Sequence, residues 1–176
     1  MKILLYCTKA KPYLIQGFAR PYHTKDINNP FNYKWHLLKT KTSSALNGKI
    51  VAECDFEVEE FDYMKAECLT HKYLDLLNKS CLTDKEMYDY FNGKNGYAIH
   101  IKNLHIFDEP KELDDYYNNK DNFITKAPQN MCYVYNDFGR KYVLISIRPE
   151  WLCKILNGEK TIEVRKKVLK EMLNDK

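Results

Sequence analysis

A chain of 176 residues with 44% hydrophobic side chains can bury a core, which excludes a disordered protein and fits one domain spanning 1–176. A formal charge of +4 and a pI near 8.6 are too mild to name a polyanionic partner without a local patch. The six cysteines, Cys7, Cys54, Cys68, Cys81, Cys132 and Cys153, form no C-x-x-C pair and share no spacing with histidines, so neither a metal site nor a disulfide framework is expected.

The first apolar run, Ile3 to Cys7, is too short for a signal peptide, and no run reaches membrane-spanning length. A reducing, cytoplasmic compartment is the expectation, with buried thiols acting as small hydrophobes and no cofactor. All but four of the 28 basic residues are lysine, the exceptions being Arg20, Arg140, Arg148 and Arg165. Arginine alone gives planar, bidentate recognition, so Arg148 and Arg165 are the informative cations.

In chain order, Lys2 to Lys9 reads as an interior strand, with Ile3, Leu5 and Cys7 on one face and Leu4, Tyr6 and Thr8 on the other. Ala10 to Asn47 reads as loops with one short strand near Tyr33 to Leu38, since Pro12, Pro21 and Pro30 break longer elements. Its aromatics and cations, among them Phe18, Arg20, Tyr22 and Trp35, fit either base stacking or a cap on the core. After the Asn47-Gly48 turn, Lys49 to Glu59 is the clearest strand. Ile50, Ala52, Cys54, Phe56 and Val58 are expected inward, and Val51, Glu53, Asp55, Glu57 and Glu59 outward as a solvated face. Only Glu53 on that face is marked as a possible catalytic carboxylate.

Asp62 to Lys79 has helical spacing, and Thr83-Asp84-Lys85-Glu86 is a capping box opening a second helix to Phe91, stopped by Asn92-Gly93. Tyr97 to Phe107 returns to strand alternation with Asn103 as a bend or bulge, and Asp108-Glu109-Pro110 is expected to end it. His100, on the less apolar face, is either a satisfied core or surface histidine or a base-contacting or proton-transfer group. Met131 to Tyr135 and Tyr142 to Ile147 read as a hairpin around Asp137-Phe138-Gly139-Arg140. In Lys166 to Lys176, Val168, Leu169, Met172 and Leu173 predict a terminal amphipathic helix.

The densest stretch is Ile145 to Arg165. It reads as strand, two-turn helix and strand, with Pro149 suited to the first helical position and Asn157-Gly158 to its stop. Trp151, Leu152, Ile155 and Leu156 form an apolar stripe. Thr161, Glu163 and Arg165 share one face of the last strand, and Lys160 sits at the turn, so one rim gathers cations, a hydroxyl and a carboxylate.

That stretch closely resembles the signature of the ASCH family (ASC-1 homology domains, related to PUA domains), in which a strand and short helix lead into a G-x-K-T turn, here Gly158 to Thr161. Gly93 to Ile101, Ile106 to Leu113, Lys126 to Val134 and Gly48 to Cys54 resemble the phage and clostridial-type branch of the same family. The resemblance implies an α+β, PUA-like mixed β-barrel with a helical insertion, completed by a C-terminal strand-helix-strand. In the usual family order the signature comes first, whereas here it comes last. A circular permutation that places it at 142–176 is the simplest account; a second truncated copy or an exchange between chains are the rivals.

The resemblance implies a module that binds RNA or a modified nucleotide. Trp151 would stack a base; Lys9, Arg148, Lys160, Thr161 and Arg165 would hold the strand, His100 would contact a base, and Glu163 would accept from a base amino group. For Lys9 the plain alternative is a solvated lysine at a strand end, for Trp151 a core position, and for Glu163 a pairing with Arg165 or Lys160. An enzyme is the second reading, a hydrolase of acylated cytidine or a ribonuclease. Lys160 matches the catalytic lysine of the amidohydrolase type, whereas Glu163 replaces the expected hydroxyl and no second catalytic carboxylate matches. The third is a phage accessory protein that inhibits a host ribonucleoprotein or defence machine. The expected state is a monomer or homodimer with no membrane association.

Overall fold

Apolar side chains on both faces of Lys2–Cys7 (β1) require a neighbour on each edge and cover on each side, and the computed structural model supplies both. It describes residues 1–8, 46, 48–62, 71–118 and 122–174. Lys9, the expected loop region with its aromatics, and the start of the expected helix from Asp62 lie outside these residues or largely so. The remaining elements are Ile50–Phe61 (β2), His71–Ser80 (α1), Asp84–Phe91 (α2), Gly96–Lys111 (β3), Met131–Tyr135 (β4), Lys141–Ile147 (β5), Pro149–Leu156 (α3) and Ile162–Arg165 (β6).

The strands form one six-stranded mixed sheet in the order β4-β5-β1-β2-β3-β6. β1 runs parallel to β5, with Lys2 opposite Tyr142 and Cys7 opposite Ile147, and every other pairing is antiparallel. One face carries Ile3, Leu5, Cys7, Ala52, Cys54 and Val143 and is covered by Leu152, Ile155 and Leu156 of α3. The opposite face gathers Leu4, Tyr6, Tyr116, Val134 and Leu144. The helical insertion packs Tyr73, Leu76, Met87 and Phe91 against Ala98, Ile162 and Val164.

The expected closed barrel is overturned. No backbone ladder joins the two edge strands β4 and β6 among the described residues, so the sheet stays open. A side chain crosses the gap instead: Arg165 donates from one terminal nitrogen to Asn130 Oδ1 at 2.7 Å and from the other to the Ser146 carbonyl at 2.8 Å. Four-residue β6 ends at that bridge.

Three local readings also change. A bulge between Ile50 and Ala52 turns Ile50 to the Leu4 face and brings Val51 beside Ala52, the reverse of the expected alternation at that end of β2. β3 runs through Pro110 to Lys111, which pairs with Ile50. The terminal amphipathic helix is only a 3-10 turn, Lys170–Leu173. Val168, Leu169 and Met172 nevertheless reach the core, so burial is met without helical periodicity. Asn103 does form the expected bulge, at φ 47°, and its side-chain amide donates to Asp55 at 2.9 Å.

Thr83 caps α2 in a complete capping box, and Tyr73 donates to Asp84 at 2.6 Å to tie the two helices. Just beyond, Gly96 starts β3 beneath the ring of Phe91: an added Cβ would sit 2.1 Å from Phe91 Cε1. That ring is 1% exposed and packs edge-on against Phe61 and Tyr90, so it has nowhere to move. Gly96→Ala is expected to cost about 2 kcal/mol of stability through overpacking, read by urea denaturation; an unchanged midpoint would mean that the helix pair is loosely seated.

Candidate functional site

The end of β1, the end of β5, α2, α3 and β6 surround a cleft of about 460 Å³. Its cationic and acidic lining is Arg148, Lys160, Arg165, Glu86 and Glu163; Tyr90 and Trp151 provide rings, and Thr8, Gln129 and Ser146 provide neutral polar groups. α3 starts there because Pro149 fills its first turn, where no amide proton is needed, and the carbonyl of Arg148 accepts from Leu152 at 2.9 Å. The helix stops at Asn157, and Gly158 at φ 80° reverses the chain so that the Lys160 amide donates to the Lys154 carbonyl at 2.9 Å. This tight return carries Lys160 inward.

Lys160 is 2% exposed, unlike a rim cation. Its ammonium donates to the Ser80 carbonyl at 2.7 Å, and the Thr161 amide donates to the Lys79 carbonyl at 2.9 Å. Two carbonyls left over at the C-terminus of α1 are thereby satisfied, one by a positive charge at the negative end of the helix dipole. Burial lowers the pKa of Lys160 from its ordinary value, and Glu163, 3.4 Å from the ammonium, opposes that shift. Two amines lie near the ring of Trp151, Lys154 at 5.0 Å and Lys160 at 5.3 Å from its centroid.

Glu163 is 14% exposed and stands between two cations. Arg165 Nε is 2.9 Å from its Oε1, but the N–H does not point along a hydrogen bond, so the contact is one of charge. The terminal nitrogens of Arg165 are committed across the sheet gap. Arg148, by contrast, is exposed and caps α3 without a side-chain hydrogen bond to it.

Of the residues expected at the site, Arg148, Trp151, Lys160, Glu163 and Arg165 come together. Thr161 does not line the cleft; it serves through its backbone, which also accepts from Ile101 at 2.9 Å. His100 is elsewhere, in a separate depression beside α1, with Nε2 3.4 Å from Glu59. Lys9 lies outside the described residues, one position beyond Thr8. The carboxylates of the β2 face are paired: Glu53 accepts from Lys2 at 2.6 Å, Glu57 contacts Lys102, and Glu59 contacts Lys72. Glu53, marked as a possible catalytic carboxylate, is thus paired with Lys2 and does not line the cleft.

Tyr90, Glu86 and Asn130 escaped sequence reading. Asn130 and Gln129 fall in the Lys126 to Val134 stretch, so that resemblance was the available signal. Tyr90 had none, because it reaches the cleft through packing between α2 and β6, and the Lys166 amine lies 5.0 Å over its ring. Among the described residues no three histidine, cysteine or acidic side chains converge as a metal site, and no helix is long and apolar enough to cross a membrane. Comparison with family models, with curated proteins and with solved structures returned no match, so nothing there attaches an ASCH, phage or RNA-binding association to the chain.

Proposed function

We propose that the cleft binds a nucleotide or a short unpaired stretch of RNA. The observation that carries this reading is the composition of one 460 Å³ cavity: two aromatic rings, an exposed arginine at its mouth and a mostly buried carboxylate at its wall. A base needs an apolar face to stack on and an edge partner, while its phosphate needs a cation with donors to spare. Tyr90 and Trp151 supply faces, and Glu163 supplies an edge acceptor. Arg148 supplies the phosphate contact, because it is exposed, whereas Lys160 and Arg165 are buried and anchored to Ser80, Asn130 and Ser146. The five described cysteines are free thiols, which suits a reducing, cytoplasmic setting.

The test is affinity for single-stranded RNA and mononucleotides as salt rises. Affinity is expected to fall with salt, and Arg148→Ala is expected to weaken binding and reduce the salt slope by about one counterion. No binding to any of these at low salt would end the reading. A second reading, hydrolysis of a nucleoside amide, is favoured by one observation, the lowered pKa of buried Lys160. Its test is turnover of N4-acylated cytidine, and absence of turnover by the folded wild type removes it.

A further inference from the structure

We infer that the base this cleft selects is guanine. The inference rests on the nucleotide-binding reading and deepens it. Its ground is the state of Glu163, which lines the cavity with its side chain 14% exposed. A carboxylate so far out of water needs aligned donors on both oxygens. It has two imperfect ones: the Lys160 ammonium is 3.4 Å from Oε2, a long contact, and Arg165 Nε is 2.9 Å from Oε1 without hydrogen-bond alignment. The two cations hold the charge in place while leaving acceptor capacity on both oxygens.

Neither side chain is free to swing out into the cavity. Lys160 is held by the Ser80 carbonyl, and the Arg165 fork is held by Asn130 and Ser146. The site therefore offers a fixed acceptor pair, and its selectivity follows from the donors each base presents. On its Watson–Crick edge guanine has two neighbouring donors, the ring N1–H and the 2-amino group. Adenine and cytosine set a donor beside an acceptor, and uracil sets one donor between two acceptors. Only guanine meets both carboxylate oxygens without bringing an acceptor against one of them, and a site built on such a pair rejects ligands that leave it unmatched.

The experiment measures the affinity of the full chain for guanosine, adenosine, cytidine, uridine and inosine monophosphates. Beside them, a uridine-only RNA strand is compared with one carrying a single guanosine. Guanosine monophosphate is expected to bind at least about tenfold tighter than the adenosine, cytidine and uridine forms, in line with the discrimination of a bidentate contact. Inosine monophosphate, which lacks the 2-amino group, is expected to lose about tenfold relative to guanosine monophosphate. A guanine preference in the free nucleotides alone or in the strand alone identifies the source of the base and supports the inference. Glu163→Gln, which exchanges one acceptor for a donor, is expected to level the preference while Arg148 still holds phosphate; the inosine comparison needs no variant and decides the matter if that protein fails to fold. Equal affinity for all the bases overturns guanine and leaves the cleft reading standing, whereas no binding at all overturns both.

Discussion

Replacing Arg165 with alanine is expected to lower the unfolding free energy by about 3 kcal/mol, the low end of what removing one member of a buried ion pair costs. The side chain is 12% exposed and its partners span the open sheet: Glu163 on its own strand, Ser146 on β5 and Asn130 just before β4. Its loss leaves a carbonyl and an amide oxygen without that donor and a carboxylate without its neighbouring charge, and water entering from the cleft recovers part of the cost. β6 itself should stay on β3, because Ile162 and Val164 are 2% and 6% exposed and burying such side chains contributes about 1.5–3 kcal/mol each. Arg165→Lys retains a charge beside Glu163 but cannot reach both Asn130 and Ser146, so it should recover less than half of the loss. Urea denaturation gives the energies, and amide exchange at Ser146 should accelerate if the gap opens. Wild-type stability in Arg165→Ala would mean that packing alone holds the two edges together.

Alkali is expected to unfold the protein between pH 9 and 12, through thiols rather than through Lys160. Burial pushes Cys7 and Cys54 from 9.0 up to about 12. Above pH 9 the unfolded chain releases these protons while the folded chain keeps them, so the folded state binds more protons and stability falls as pH rises. Stability tied to each thiol is complete below pH 9 and gone by about pH 12, a loss of order 4 kcal/mol apiece. The buried Tyr116 hydroxyl, also pushed up by burial, acts in the same direction. Lys160 acts in the opposite one: its folded pKa is lowered, so its penalty is present at neutral pH and relieved as pH rises toward 10.5. Two thiols outweigh one lysine in a domain whose total stability is of order 5–15 kcal/mol. A pH series of denaturation midpoints tests the balance, with Cys54→Ala expected to flatten the slope by roughly half. A flat profile from pH 9 to 12 in the wild type would show that these thiols are not sealed in the sheet.

Much of the local structure was legible because its causes are local. The apolar double face of β1, the capping box at Thr83, the bulge at Asn103 and the Pro149 to Gly158 frame of α3 each depend on residues within a few positions. The β4–β5 hairpin followed from two short strands and a turn containing Gly139. The same reasoning failed at the tail, where helical spacing from Val168 to Leu173 served a 3-10 turn. It failed again at Ile50 and Val51, where a bulge shared with β3 reversed the faces.

By itself, the sequence determined that β5, α3 and β6 would carry a cluster of Arg148, Trp151, Lys160, Glu163 and Arg165, since five residues within eighteen positions stay together in almost any fold. Only the tertiary structure decided what each does. A lysine is drawn inward as a buried prop when a carbonyl eighty residues away, on Ser80, faces it, and an arginine becomes a strut when Asn130 and Ser146 lie across an open edge. These partners are distant in the chain, and the loop-closure entropy of bringing them together is met by burial of the whole sheet, a cooperative quantity that no short stretch of residues displays.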